Sequence, residues 1–478
     1  MTEKGNLSFL FNPKSVAVIG ATNRPGAWGN LIFRGLVSYN YPGKLYPINN
    51  NDKNVLGISA YPSLDEVPGE VEVVFIAIPA EKLMDVMNDC IKKGVKGIVI
   101  ITSGFAEAEG NEGKKQQEKI ALFGKKYGIR ILGPNVSGIY NLHSNYLASP
   151  AQPNQLIRSK ITFITQGGYA VENLITRAYS KGIGLGKFVH TGNEADLQCT
   201  DFLEYVEKDP ETDVILMYVE CLNEPGRFLN IAREITKKKP IIIYKGGRTR
   251  DGARAAASHT GAMAGSSEIY NGLFEQAGCI QAPSFESILE LGYALRYYPA
   301  LKGTRIGIIT WGGSWGVILT DLISMKGLKV QELSTSLQGK LRKIGLPYRA
   351  STKNPVDIGA AGITLGLNAW IEITEAVISD EEIDAVVVHG FGLFGRESNG
   401  RDLAEEFREV QEAEEKFLRK GVELMRRYEK PFVIGCLMSH LESLTIRNMN
   451  QDGIPSYTHI EEMADLLSVL LRYNRKIR

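Results

Sequence analysis

Strand-like apolar runs alternate with helical patterns along the whole chain, and this rhythm restricts the possible folds more than any other feature. The first series is Ser15–Ile19, Lys44–Ile48, Val71–Ile78, Lys96–Ile101 and Arg130–Leu132. Strands separated by stretches long enough for crossover helices make parallel, doubly wound α/β sheets. A second series comes after the Pro- and Asn-containing stretch Ser149–Asn154, with strands expected at Ile161–Ile164, Lys187–Val189, Asp213–Tyr218 and Pro240–Tyr244. A third comprises Arg305–Ile309, Leu328–Val330, Ala385–Val388 and Phe432–Gly435. At 478 residues the chain exceeds what one core organises. Three α/β domains are therefore expected, at 1–148, 155–297 and 302–478: a Rossmann-like unit followed by two flavodoxin-like units. The last two share an opening, since Ile164-Thr165-Gln166-Gly167-Gly168 is echoed by Ile309-Thr310-Trp311-Gly312-Gly313.

Composition narrows the class. Hydrophobic residues make up 44% and charged residues 23%, as in ordinary globular proteins. A net charge of +1 gives no reason to expect nucleic acid or an anionic membrane as partner. The apolar stretch Leu7–Phe11 is too short for a signal or spanning segment, so a cytoplasmic location is expected. The five cysteines contain no CxxC pair, and neither disulfides nor a metal site is expected.

After the first strand comes Gly20-Ala21-Thr22-Asn23-Arg24-Pro25-Gly26-Ala27-Trp28-Gly29, leading into a helical pattern. Glycines let backbone N–H groups approach an anion, and a helix N-terminus adds positive partial charge. The spacing departs from GxGxxG, and the second strand ends in Pro47-Ile48-Asn49 with no carboxylate for a nicotinamide ribose. A nucleotide-phosphate ligand other than NAD is favoured over an oxidoreductase.

Ser15-Val16-Ala17-Val18-Ile19-Gly20-Ala21-Thr22 with Pro25-Gly26 resembles the CoA-binding domain of ADP-forming acyl-CoA synthetases, relatives of succinyl-CoA synthetase. Tyr46-Pro47-Ile48-Asn49, Ile78-Pro79-Ala80, Ser103-Gly104-Phe105 and Ile131-Leu132-Gly133-Pro134-Asn135 continue the likeness in order. The resemblance implies coenzyme A, with its phosphates against Gly20 and Thr22 to Gly29, including Asn23, Arg24 and Gly26. Asn49, Ile78, Pro79, Thr102, Ser103 and Gly104 would line the rest, and Gly133, Pro134 and Asn135 would lie near the reactive end. Where many members have a lysine after Pro-x-Asn, this chain has Asn50 and Asn51. Either Lys53 or Arg24 supplies that charge or the contact is absent.

Six histidines occur, and His259 is singled out by its setting of small residues, Ala255-Ala256-Ala257-Ser258-His259-Thr260-Gly261-Ala262. Glu220 closes one strand, and the strand leading toward His259 is expected beside it, at the carboxyl edge of one sheet. A carboxylate there can accept one imidazole proton and leave the other nitrogen to attack phosphorus. The strand–turn–helix at Thr165, Gly167 and Gly168 supplies an anion cradle. Ala-Ser-His-Thr-Gly after Lys-x-Gly-Arg matches the same synthetase family, as do Gly192-Asn193-Glu194-Ala195-Asp196 and Lys353-Asn354-Pro355-Val356-Asp357. The likeness implies that His259 carries the phosphoryl group and Glu220 steadies it. It also implies that Thr165, Gly167, Gly168, Asn193, Ser258, Thr260 and Gly261 border the phosphate. One departure stands here too: the family commonly reads Ser-Gln-Ser-Gly at Thr165-Gln166-Gly167-Gly168.

The implied activity is that of the alpha subunit of an ADP-forming acyl-CoA ligase, acting through acyl phosphate and phosphohistidine. No GxxxxGK[ST] loop or ATP-grasp region is found. ADP/ATP and Mg2+ are therefore expected on an ATP-grasp beta subunit, in an α2β2 assembly. A CoA-binding regulatory module without catalysis is the rival reading, opposed by the presence of His259 and Glu220.

Overall fold

The computed structural model describes residues 6–108, 110–151, 156–168, 172, 174–176, 179, 181–260, 266–359, 361–396 and 405–477. It divides into two compact units, Met1–Tyr179 with Gly184–Gly292, and Ser180–Ile183 with Tyr293–Arg478.

In chain order the first unit contains β1 (Ser15–Ile19), β2 (Lys44–Ile48), the small antiparallel pair β3 (Asn54–Val55) and β4 (Ile58–Ser59), β5 (Val73–Ile76), β6 (Gly97–Ile100) and β7 (Arg130–Leu132). Then come β8 (Ile139–Asn141), β9 (Tyr146–Ala148), β10 (Ile161–Thr165), β11 (Lys187–His190), β12 (Val214–Val219), β13 (Ile241–Lys245) and β14 (Ile280–Gln281). The first sheet is parallel in the order β2-β1-β5-β6-β7. The second runs β14-β13-β12-β10-β11-β8-β9. Its five strands from β10 to β14 are parallel in that same doubly wound order, and the β8–β9 hairpin adds to β11 antiparallel. In both sheets the order reverses beside the first strand, which opens a crevice at the carboxyl ends of β1 and β5 and of β10 and β12.

The hairpin β8–β9 lies inside the expected first domain, yet it hydrogen-bonds to the second sheet. Sequence patterning missed it because each strand has only three residues. Its buried Ile139, Tyr146 and Ala148 join one apolar cluster with Val16 and Val73 of the first sheet and Ile164 and Met217 of the second. Ile19, Ile76, Ile98 and Ile131 cover the other face of the first sheet. All of β1, β5, β6 and β10 is buried, as strands covered on both faces must be.

The second unit holds a parallel sheet of β15 (Ile306–Thr310), β16 (Val356–Asp357), β17 (Ala385–Phe391) and β18 (Phe432–Cys436), ordered β16-β15-β17-β18. The strand expected at Leu328–Val330 is only a single bridge from Lys329 to Arg305, at the entry to β15. Val356–Asp357 takes the edge further along.

The echoed openings fold alike. Thr165 Oγ1 donates to the Gly167 carbonyl at 2.7 Å and accepts from the Gly167 N–H at 3.0 Å. Thr310 does the same with Gly312, at 2.8 and 3.3 Å. A threonine ending the strand thus closes the turn that precedes each glycine pair.

The helix Trp28–Ser38 begins hard against the first turn, because a methyl group on Gly29 would lie 1.9 Å from the Gly20 carbonyl oxygen. Gly26 is different: it has φ +79° and open space where a side chain would go. Gly29→Ala should therefore destabilise by about 3 kcal/mol through overpacking. Gly26→Ala should cost only about 1–2 kcal/mol, for a left-handed backbone. Denaturant midpoints of the two variants check the order, and equal losses would contradict this packing.

Candidate active site

The turn after β1 is held open by side chains folded back onto backbone. Asn23 donates to Asn54 O at 2.8 Å and accepts from Leu56 N at 3.0 Å, so it fixes the β3–β4 pair beside the turn. Asn49, at the end of β2, donates to Ala21 O at 2.7 Å and accepts from the N–H groups of Asn51 and Asp52 at 2.7 and 2.9 Å. It stands where a dinucleotide-binding fold would have an acid, and it braces the turn instead. Thr22 Oγ1 accepts from Arg24 N at 3.3 Å, and Asn30 Nδ2 donates to Thr22 O at 2.8 Å. Arg24 and Gly26 are exposed on the rim, as is Lys53.

At the neighbouring strand ends Thr102 Oγ1 donates to Ile78 O at 2.7 Å, and Pro79 leads into a short 3-10 turn at Ala80–Lys82. The Gly104 N–H donates to Glu107 Oε1 at 2.6 Å, and Phe105 N donates to Oε2 at 3.2 Å. Burial pushes the Glu107 carboxyl up, but these bonds and one from the Asn193 amide hold it below its ordinary value.

A backbone seam joins this crevice to the second sheet. Leu197 N donates to Ile131 O at 3.1 Å, Ala195 N to Gly133 O at 2.9 Å and Asn193 N to Pro134 O at 3.0 Å. Arg130 pairs with Asp196 at 3.0 Å, and the Ile131 N–H donates to the same carboxylate at 2.7 Å. Asn193 was expected to border phosphate. Its amide donates to Glu107 and to Gln117 Oε1, the latter at 2.9 Å. Its Oδ1 accepts from Asn135 at 3.3 Å. In this arrangement the side chain ties loops together.

At the crevice of the second sheet the structure brings Thr165, Gly167, Gly168 and Glu220 to one edge. Gln166, which sequence reading quoted without assigning, organises them. It is 4% exposed. Its Oε1 accepts from the N–H groups of Glu220 and Cys221 at 2.6 and 3.0 Å, and its Nε2 donates to Cys221 O at 2.9 Å. The side chain thereby continues the β10–β12 pairing past the strand ends. Glu220 is buried, and its Oε1 accepts from Tyr218 OH at 3.1 Å. A side chain on Gly167 would reach within 2.9 Å of the Tyr218 ring, so the turn packs directly against Tyr218.

The next strand, β13, pairs with β12 so that Val219 faces Lys245. Burial pushes the Lys245 ammonium down, against the upward pull of nearby Cys221 and Glu220. Arg248 lies 3.9 Å over the Tyr244 ring and donates to the carbonyls of Lys245, Ala282 and Pro283. The helix Arg250–Thr260 comes next. Ser258, His259 and Thr260 lie in its last turn with side chains outside the described residues, and Gly261 is outside them altogether.

Two further groups were not expected. His190, at the end of β11, accepts at Nδ1 from Ser137 N at 2.8 Å, so its proton sits on Nε2, 3.0 Å from the Gln166 carbonyl. A side chain on Gly168 would meet this ring at 2.7 Å, so the imidazole packs directly against the Gly167–Gly168 turn. Glu194 accepts from Thr191 Oγ1 and Cys199 N, both at 2.9 Å. Burial pushes its carboxyl up to about 7 despite these bonds. Glu194 lies in the quoted Gly192–Asp196 motif but was given no role there, and nothing local marks His190, whose partners Ser137 and Gln166 come from distant segments.

These elements enclose a cavity of about 240 Å3 lined by Trp28 and Ser103 of the first crevice, Asn135 and Ser137 beyond the seam, and Gln166, Gly168 and His190 of the second. It places the Gln166–Gly168 turn next to the glycine turn after β1.

A raised carboxyl favours the fold only while protonated. Glu194 should stabilise most below its unfolded value near pH 4.3, and that contribution should vanish as pH rises through about 7. Relative to Glu194→Gln, the protein should lose about 3 kcal/mol between those limits and nothing more above. Urea denaturation of both proteins across pH 4–8 measures the difference, and a flat difference would contradict the burial.

Residues 14–141 match the family described as a CoA binding domain, and residues 158–295 match the succinyl-CoA ligase like flavodoxin domain. The chain is 33% identical over 475 residues to the alpha subunit of acetate–CoA ligase [ADP-forming] II of Pyrococcus furiosus, covering 98% of each chain. It is 35% identical over 477 residues to the alpha subunit of isozyme I of the same organism, again covering 98% of each. The structure of a dinucleotide forming acetyl-coenzyme A synthetase 1 from Ca. Korarchaeum cryptofilum, in complex with phosphate and ADP, superposes with a TM-score of 0.85 at 31% identity, covering 99% of this chain and 98% of that one. The chain belongs to the family of alpha subunits of ADP-forming acetate–CoA ligases.

Proposed function

We propose that this chain, with a partner subunit, interconverts acyl-CoA, ADP and phosphate with the free acid, ATP and CoA. The observation that carries the reading is the shared cavity, in which the first-sheet turn, the Gln166–Gly168 turn and the seam at Asn135 and Asn193 meet. CoA would lie along Gly20 to Gly29, held by backbone N–H groups of the turn and the start of the helix Trp28–Ser38. Gly26 suits that role, since its outward space is open. Ser103 and Gly133 to Asn135 would face the thioester end.

Phosphate held by the Gly167–Gly168 turn attacks the thioester carbonyl. The carbon–sulfur bond breaks, CoA leaves as the thiol, and acyl phosphate forms. His259 then attacks phosphorus and releases the carboxylate. Glu220, held at its backbone by Gln166, accepts a hydrogen bond from the other imidazole N–H and so favours the cationic form that develops during transfer. ADP finally takes the phosphoryl group. That step belongs in this reading to an ATP-grasp beta subunit that holds the nucleotide and Mg2+, in an α2β2 assembly. The acting form is taken to be cytoplasmic; among the described residues no helix is long and apolar enough to cross a membrane.

With acyl-CoA and radioactive phosphate, the chain should take up an acid-labile, base-stable label in the peptide containing His259. His259→Ala should abolish both label and turnover while leaving CoA binding intact. Glu220→Gln should slow labelling by about 10- to 100-fold without removing it, since the charge is lost and the shape kept. Label outside Ser258 to Gly261, or undiminished label in His259→Ala, would reject the phosphohistidine assignment. In calorimetry the chain should bind CoA and not NAD, and Gly26→Val should weaken CoA by about tenfold or more through backbone strain in the turn. Tight NAD with no CoA would reject the reading of the first crevice.

A further inference from the structure

The loop after β6 presents neighbouring backbone N–H groups at Gly104 and Phe105, and the anion that fills them belongs to the chain itself. Glu107 Oε1 accepts from the Gly104 N–H at 2.6 Å. Its Oε2 accepts from the Phe105 N–H at 3.2 Å and from the Asn193 amide. Donors from two distant segments therefore converge on one carboxylate, in the arrangement by which successive N–H groups and an amide would receive an oxyanion of a ligand. Burial favours the neutral form of this carboxyl, but the same bonds hold it below its ordinary value, so it is charged at neutral pH.

Neither the loop nor Asn193 needs Glu107 to stay in place. Asn193 N donates to Pro134 O at 3.0 Å, its carbonyl accepts from Gln117 Nε2 at 3.3 Å, and its amide donates to Gln117 Oε1 at 2.9 Å. Asn135 donates to its Oδ1 at 3.3 Å. On the loop, Ala106 N donates to Gln117 Oε1 at 3.3 Å and Ala108 N to Phe105 O at 2.9 Å. Glu107 itself is only half-buried, and Gly104 is exposed, with φ +105° and open space where a side chain would go. The carboxylate can turn out into water with every one of these other bonds intact.

We propose that Glu107 is a tethered competitor for a phosphate group: in the free protein its carboxylate holds the Asn193 amide and the loop N–H groups, and an entering phosphate displaces it. The inference rests on the acyl-CoA reading above and adds a control on that site. Gly168 and Asn193 line one cavity, so a phosphate on the Gly167–Gly168 turn gains the donation now given to Glu107 only after the carboxylate has let go. Charge acts in the same direction. A carboxylate on Asn193 repels an incoming dianion, and more strongly in a partly buried crevice than in bulk water. Asn193, which the family likeness puts beside phosphate, is thus found on a carboxylate because the chain supplies its own anion there. Free phosphate and the phosphate groups of CoA offer the same chemistry; free phosphate is the expected rival, since it is the one assigned to the Gly167–Gly168 turn.

Calorimetry on the full chain, titrated separately with inorganic phosphate and with CoA, compares wild type with Glu107→Gln and Glu107→Ala, and melting temperatures are recorded alongside. Phosphate should bind both variants at least threefold more tightly than wild type, with CoA affinity unchanged within twofold. A brace would give the opposite sign, because its loss weakens binding. Glu107→Gln keeps the shape and removes the charge, so its result decides the matter even where Glu107→Ala melts lower. Tighter CoA with phosphate unchanged would uphold the competitor and make its rival a phosphate group of CoA. Weaker or unchanged binding of both ligands in the two variants would overturn the competitor and leave the acyl-CoA reading standing. No binding of either ligand to any of the three proteins would reject that reading, and the competitor with it.

Discussion

Everything proposed for this site depends on the backbone seam between the carboxyl end of β7 and the loop after β11. Three main-chain hydrogen bonds, from Asn193, Ala195 and Leu197 to Pro134, Gly133 and Ile131, run along it, and Asp196 anchors its far end to Arg130. Main-chain bonds in a buried strip are costly to leave unmade, so the two loops move together or not at all. The seam fixes Gly133 to Asn135, at the end of the first crevice, beside the Gln166–Gly168 turn of the second.

The interior of the second crevice is polar, and its order comes from saturation rather than charge pairing. Gln166 uses both ends of its amide on backbone of β12, His190 uses both ring nitrogens, and the Asn193 amide donates to Glu107 and to Gln117. A fully satisfied network of this kind rigidifies the groups it contains. Glu220 is thereby held at its backbone by Gln166 and at its carboxylate by Tyr218. Glu194, within the same network, shows what burial does to a carboxyl that has hydrogen bonds but no cation: it is pushed up to about 7.

The two strand–turn openings show how far a local code reaches. Thr165 and Thr310 close their turns through the same pair of hydrogen bonds. The packing around the two turns differs. Tyr218 lies against Gly167, whereas Trp315 packs on the buried ring of His389 in the second unit. Burial lowers the His389 imidazole to about 4, so it is neutral at physiological pH. The same turn is thus set in two chemically different neighbourhoods, chosen by strands far away in sequence.

The sequence by itself determined the doubly wound class, the strands that are long and wholly apolar, the glycine turns, and the family through motifs that recur in order. Those features are local: a β-branched run, a glycine with positive φ or a threonine ending a strand carries its consequence within a few residues. It also marked Glu220 and the Gly167–Gly168 turn as one site, because strand ends in a parallel sheet share an edge. Only the tertiary structure decided that β8 and β9 join the second sheet and that Asn23, Asn49 and Asn193 brace loops. It likewise decided that Gln166, His190 and Glu194 gather at the second crevice. Each of these depends on a hydrogen-bond partner or a wall tens of residues away. For an amide or an imidazole, the role is set by whichever group the fold brings within about 3 Å.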